Sequence, residues 1–232
     1  YFVIKNNKDT LVKIDFKLKK VDIKKQFEIY TIGTPASLQI LLAALSNAVL
    51  IGIMSQYNVY AISGMGVMQK VDSIPFQAIM GISEGILPLV AYNYASGNKN
   101  RMDEAVRFAL TRGILCAFIF LAVYLVFAPN IVQFFINDPK SILYGAHFVR
   151  LRVLALPFIT VEFMLIAVFQ GIGGAKQAFF LSIFRKGIFD LPLMFLADYL
   201  WPMYGIMLVQ PIMECIGCII AFIMYKRVTV KK

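Results

Sequence analysis

From Ile32 to Ile53 the chain carries no charged side chain, and a run of that length, coiled as a helix, crosses a hydrocarbon layer of about 30 Å. In water such a run would need cover on every side. In lipid it needs only that its backbone groups bond to one another, which a helix provides. Further apolar runs follow at about 61–95, 106–127, 146–170, 177–197 and 203–225, giving six candidate spans. No ten-residue alternation of apolar and polar positions recurs, so a transmembrane barrel is disfavoured. The expected fold is all-α: a polytopic membrane protein built as a six-helix bundle. Composition agrees, with 59% hydrophobic and 16% charged residues against about 45–50% and 25% in soluble domains.

The basic residues give the orientation. If six helices alternate, segments 1–30, 97–112, 172–186 and 226–232 share one side, and they hold 19 of the 23 lysines and arginines. Lys140, Arg150 and Arg152 fall on the other side, and Lys70 lies inside a span. Loops rich in Lys and Arg stay in the cytoplasm, so both ends of the chain are expected there. The net charge of +10 is thereby explained without nucleic acid, which would call for a basic face on a soluble fold.

Tyr1-Phe-Val-Ile4 reads as the end of an apolar segment, and Lys5 to Lys25 brings eight lysines and three acids. A signal peptide has the reverse order, a basic region before an apolar core. The expected organisation is therefore residues 1–30 as the end of a preceding helix plus a basic cytoplasmic connecting segment. Residues 31–226 follow as a six-helix C-terminal lobe, and 227–232 as a cytoplasmic tail. An alternative is an N-terminal segment lying on anionic lipid, but Val12, Ile14, Phe16 and Leu18 alternate instead of sharing one helical face.

Ionisable groups at membrane depth are rare and face a bundle interior or a watery path. The second span carries Lys70, Asp72 and Glu84; the fourth Glu162 and Gln170; the fifth Arg185, Lys186 and Asp190; the last Gln210 and Glu214. Lys70 and Glu84 fall about 40° apart on a helix, with Asp72 nearly opposite Lys70. Each has a plainer reading. Glu162, shortly after Pro157 and Thr160, can lie near a hydrated interface. Arg185 and Lys186 can snorkel to headgroups, and Glu214 can bond with Gln210 one turn earlier.

Pro35, Pro75, Pro88, Pro157, Pro192 and Pro211 fall in or at the edge of five spans. Each removes a backbone hydrogen bond and can bend its helix. Gly81-Ile-Ser-Glu-Gly85 forms a GxxxG, for which helix packing is the expected use. Gly171-Ile-Gly-Gly-Ala-Lys176 follows an apolar run and suits a turn between the fourth and fifth spans, not a dinucleotide fingerprint. Cys215 and Cys218 stand inside the last span, and the one histidine, His147, is distant in sequence. A zinc site wants about four such ligands, so the cysteines read as small apolar helix residues.

One stretch points further. Gln77-Ala-Ile-Met-Gly-Ile-Ser-Glu-Gly-Ile-Leu-Pro-Leu-Val-Ala-Tyr-Asn-Tyr-Ala-Ser-Gly-Asn-Lys-Asn-Arg101 resembles the eighth-helix motif of the multidrug and toxic compound extrusion (MATE) family. That motif runs approximately G-x-x-Q-G-x-x-P, then Y-N-Y-G-A, a polar turn and R. Phe169-Gln-Gly-Ile-Gly-Gly-Ala-Lys176, then Ser182-Ile-Phe-Arg185 and Leu191-Pro-Leu193, looks like the family's turn between helices ten and eleven. Tyr204-Gly-Ile and Val209-Gln-Pro-Ile-Met-Glu214 look like its last helix, and Ile32-Gly-Thr-Pro35 is similar to its entry into helix seven.

The resemblance implies the C-terminal half of a bacterial-type efflux transporter in the plasma (inner, cytoplasmic) membrane, lacking the N-terminal six-helix lobe. The family works as twelve helices in two lobes with alternating access. It exchanges small cationic or amphiphilic compounds outward for Na+ or H+ inward. No enzyme activity and no cofactor beyond the coupling ion are implied. Glu84 stands where the family commonly has Gln, and Ala95-Ser96 where it has Gly-Ala. Some branches place a coupling carboxylate in helix seven, where this chain offers Gln39, Ser46, Asn47 and Ser55, so no cation site transfers by position. The residues themselves nominate Glu84, Glu162, Gln39, Asn47, Asp72 and Glu214 as a substrate or cation cavity. Rival functions are a lipid-linked saccharide flippase of the same superfamily, whose cavity should be more cationic, and a non-transporting assembly subunit.

Overall fold

The computed structural model describes residues 37, 41–183 and 189–230, which are helical with short turns and contain no strand. Helix α1 spans Leu41–Met54, α2 Val59–Ala95, α3 Lys99–Gln133 and α4 Pro139–Val153. Helix α5 spans Leu156–Gly171, α6 Ala175–Ile183, α7 Asp190–Leu200 and α8 Gly205–Val230. The connecting segment 1–30, Pro35, Gln39, Arg185 and Lys186 lie outside the described residues.

Local chemistry sets the helix starts. Asn58 accepts the Ala61 N–H at 2.7 Å, Asn98 that of Arg101 at 3.3 Å, and Asp138 that of Ser141 at 2.8 Å. Each fills one of the donors a first turn leaves open. Pro139 follows Asp138 at the start of α4, where its missing N–H costs nothing. The glycine turn expected at 171–176 is present, with Gly173 at φ 78° between α5 and α6.

Among the described residues, α2, α3 and α8 are each long and apolar enough to cross a membrane. The fourth span, expected as one helix, is instead two: α4 and α5 meet at 45°, together passing the same test. Pro157 stands in the first turn of α5, so it begins the second half of this broken span and does not interrupt a helix. Pro192 likewise stands in the first turn of α7. Pro75, Pro88 and Pro211 are inside helices, as is Pro129 in α3, which the sequence reading did not single out. The first and fifth expected spans run through residues outside the described set.

Helix α2 is the organising element, packed on α3, α4 and α5; α5 also packs on α3 and α8, and α7 on α8. Backbones touch where α2 crosses α4. A Cβ added at Gly64 would stand 2.7 Å from the Gly145 nitrogen and 2.9 Å from the Ser141 oxygen. The core around this crossing includes Met65, Met68, Phe148, Val149 and Met207.

Two interior prolines are compensated from neighbouring helices. Pro75 cannot donate to the Val71 carbonyl, and the buried Tyr124 hydroxyl of α3 donates to that oxygen at 3.0 Å. Pro129 cannot donate to the Leu125 carbonyl, and Arg150 Nε of α4 donates there at 3.1 Å. Left unmade, the buried Val71 carbonyl would be a polar group held out of water, at a cost of about 1–3 kcal/mol.

Candidate functional site

The described face of α2 that no other helix covers has a regular chemistry. Lys70, Ser73, Gln77, Gly81, Glu84, Gly85 and Pro88 are all exposed, with Ile74 and Tyr92 among them, and at 3.6 residues per turn they fall on one side of a helix. Gly81 and Gly85 have open space where a Cβ would be. The GxxxG expected as a packing contact therefore meets no neighbour among the described residues. Near the Lys70 end, Gln69 Nε2 donates to Asn47 Oδ1 at 2.7 Å, which adds the exposed Asn47 of α1 to the same polar strip.

Asp72, two residues after Lys70, points the other way. Its Oδ2 accepts from Arg152 Nε at 3.1 Å, both side chains being about four-fifths buried. The ion pair lies at the end of α4, next to the 45° break and to the Tyr124 and Arg150 bonds. The expectation that one helix cannot aim Lys70, Asp72 and Glu84 at one partner is what the geometry shows.

The remaining acids are interior. Glu162 on α5 is 0% exposed, so the reading that placed it at a hydrated interface is corrected. Its carboxylate lies against Gly217 of α8, where a Cβ would come within 2.5 Å of Oε2. Only a residue without a side chain leaves room there. Glu214, three residues earlier on α8, is 1% exposed and its Oε1 accepts from Gln210 Nε2 at 3.0 Å, the local bond expected from sequence. Cys218 is within electrostatic reach of both carboxylates. Asp190 at the start of α7 is also buried and accepts from Ser46 Oγ of α1 at 2.5 Å.

The nominated residues thus divide. Glu84 and Asn47 belong to the open polar face, Glu162 and Glu214 to the α5–α8 interior, and Asp72 to an ion pair between α2 and α4. Gln170 is exposed at the end of α5. Among the described residues no group of three or more His, Cys, Asp or Glu side chains has a metal-holding arrangement. A groove of about 340 Å³ between α7 and α8 is lined by Phe189, Pro192, Leu193, Leu196, Ile212 and their neighbours and includes none of the acids. The sequence reading missed Tyr124, Arg150 and Pro129. The signal was available only in part, since an arginine at membrane depth asks for a partner but does not name a carbonyl.

The turn before α2 is tied to the end of α7 by side chains. Tyr57 donates to Asp198, whose Oδ1 also accepts the Met203 N–H at 3.1 Å. Met203 has φ 68°, a left-handed conformation costly for a residue with a side chain, and this bond helps hold it. Burial, followed by the Asp198 carboxylate, pushes the Tyr57 hydroxyl above its ordinary pKa.

Comparisons with known proteins agree on one relationship. The family model described as MatE matches residues 35–196. Multidrug export protein MepA of Staphylococcus haemolyticus is 29% identical over 88% of this chain and 46% of its own length. MepA of Staphylococcus aureus is 25% identical over 99% of this chain and 52% of its own. An outward-facing multidrug resistance MATE family transporter superposes with a TM-score of 0.83 at 17% identity, covering 99% of this chain and 52% of that one. The Vibrio cholerae MATE transporter VcmN in its bent form gives 0.79 at 15% identity, with 92% and 49% covered. These two share the fold. The chain spans about half the length of the curated relatives it matches.

Proposed function

The chain belongs to the MatE family, and on that premise we propose that it is the C-terminal lobe of a twelve-helix exporter of cationic or amphiphilic compounds. In this reading the exporter lies in the cytoplasmic membrane, both ends of this chain face the cytoplasm, and a second lobe completes the cavity. The observation that carries the reading is the exposed polar face of α2. Lys, Gln and Glu side chains facing lipid within the hydrocarbon layer would be costly, and a face that carries all three is better suited to water or a second protein surface. A six-helix lobe that presents such a strip to its counterpart encloses a watery path between the two. Glu84 is then the carboxylate that draws an organic cation onto the strip.

Energy coupling rests, in this proposal, on the interior acids. A buried carboxylate can hold a proton or a metal cation in exchange for other partners, and Glu162 and Glu214, the buried acids of α5 and α8, are the groups whose occupancy would bias the lobe between two shapes. A bound ion shifts such an equilibrium only by its difference in affinity for the two states. The flippable elements in this reading are the proline positions in α2 and α3 and the broken span α4–α5. Na+ and H+ both suit this scheme. The strip carries one base and one acid, which does not match the cationic cavity that a pyrophosphate-linked saccharide would require. An assembly subunit without cargo would have no need of the buried acids Glu162 and Glu214.

The test uses the full-length polypeptide in inside-out membrane vesicles, with ethidium as the cationic probe. Glu84→Gln is expected to reduce ethidium uptake by about tenfold or more at unchanged protein level. Glu162→Gln is expected to remove the dependence of uptake on the ion gradient. Ethidium transport that survives Glu84→Gln unaltered would overturn the role given to the strip.

A further inference from the structure

The start of α3 and the end of α8 meet at one face of the bundle. Tyr225 of α8 packs against the buried cluster that holds Met102, Val106 and Ala109 of α3. It also lies within electrostatic reach of Asp103 and Arg107, and α5 packs on both helices. Two rings mark the depth of this junction. On α3 the Arg112 guanidinium stands 5.4 Å from the Phe108 centroid, and on α8 the Lys226 ammonium stands 4.8 Å from that of Phe222. Phe222 is about 4.5 Å of helix rise inward of Tyr225, and Phe108 is one residue inward of Arg107, so the two cations stand at nearly one level. Farther inward the exposed side chains include Leu115 and Ile119 on α3 and Ile216 and Ile219 on α8, a surface for lipid tails. The junction is therefore at the level where lipid tails give way to headgroups.

Lys226 is one turn nearer the end of α8 than its ring, and a lysine seeking water would extend outward. Its ammonium is instead folded back toward the apolar band. Arg107 is exposed at the same junction, and among the described residues it forms no ion pair with Asp103, four residues earlier. Asp103 reduces the positive charge of the junction without cancelling that of two bases.

We infer that this junction binds an anionic phospholipid, with the phosphate between Arg107 and Lys226 and the acyl chains along the exposed apolar side chains farther inward. The occupant follows from charge complementarity at a fixed depth, since basic recesses between transmembrane helices take anionic headgroups. A zwitterionic headgroup offers the same phosphate with a cation attached, so the junction discriminates by net charge. The inference stands apart from the export reading, because it needs only that the start of α3 and the end of α8 share one membrane face.

Native mass spectrometry of the full-length protein in neutral detergent reads the bound lipid directly. Phosphatidylglycerol is expected to bind about tenfold more tightly than phosphatidylcholine. The double variant Arg107→Gln, Lys226→Gln is expected to lose that preference, and Arg107→Lys, Lys226→Arg to keep it. Arg112 is about 140° round α3 from Arg107, so Arg112→Gln is also expected to keep it. Equal binding of the two lipids by the unaltered protein overturns the inference, even where a variant fails to fold. A preference that survives the double Gln variant overturns it too, as does an equal loss in Arg112→Gln, the mark of diffuse charge. Displacement of phosphatidylglycerol by inorganic phosphate would assign the two bases to a soluble anion and overturn the lipid assignment. A protein that binds phosphatidylglycerol as expected yet moves no ethidium supports this inference and overturns the export reading alone.

Discussion

Helices α2 and α3 are neighbours of nearly equal length, and both leave one face uncovered, yet the two faces have opposite chemistry. On α3 the exposed side chains include Phe108, Leu115, Phe118, Ile119, Val126 and Phe127, a surface suited to lipid tails. On α2 the uncovered strip carries Lys70, Gln77 and Glu84 among glycines, with Ile74 and Tyr92 on the same arc and Leu89 at its edge. Hydropathy summed over either helix reports a span and nothing more. The difference lies in which residues share a side, and it separates a wall facing lipid from a wall facing something wetter.

A large effect on folding stability should come from the side of α2 that is covered. Gly64→Ala forces a methyl group into the Gly145 backbone, and overpacking of this kind costs about 1–3 kcal/mol. Gly81→Ala on the open side should leave stability unchanged or slightly raised, alanine being the better helix former by about 1 kcal/mol. Thermal unfolding of the two variants in detergent gives the comparison directly, and equal destabilisation would break it.

A charge placed on each face should be nearly as revealing. Phe118→Lys on α3 puts an ammonium against lipid, at about 2.5–3.5 kcal/mol on insertion scales, and should lower the amount of protein reaching the membrane. Gln77→Lys on α2 should be tolerated. If both are tolerated, the α3 face is not a lipid wall.

Smaller changes probe the join between the two helices. Tyr124→Phe removes the donor to the Val71 carbonyl and should cost about 1 kcal/mol. In a Pro75→Ala background, where the backbone can supply its own bond, the cost should shrink; a double-mutant cycle reads that coupling. The smallest effect is at the loop before α4. The Ser141 backbone N–H bonded to Asp138 holds that carboxyl below its ordinary value of 3.8. A depressed folded-state pKa stabilises above the unfolded value, so the cap's contribution is present at neutral pH and fades as pH falls through the folded-state value. Asp138→Asn should flatten that acid-side dependence, measured as melting temperature against pH.

Much of this was legible beforehand. The order of apolar runs, the glycine turn at 171–176, the opposition of Asp72 to Lys70 and the Gln210–Glu214 bond all follow from spacing along one helix. What spacing cannot supply is which side of a helix is covered. Glu84 and Glu162 look alike in sequence, each an acid in an apolar run, but one lies on the open strip and the other is enclosed because Gly217 of α8 has no side chain. Gly81 and Gly85 have the pattern of a packing seam, whereas the seam with backbone contact is at Gly64 and Gly145. The partners of the Val71 and Leu125 carbonyls are supplied by Tyr124 and Arg150, on other helices. No local rule reaches that far.

Those two borrowed bonds have a mechanical meaning. A helix bent at proline usually swings on its own, since the missing bond leaves the joint slack. Here each proline position is tied to the next helix: the carbonyl freed in α2 holds α3 through Tyr124, and the one freed in α3 holds α4 through Arg150. The two ties stand one after the other along the row that ends at the break at residues 154–155, so slack that a proline would open in one helix is taken up by its neighbour.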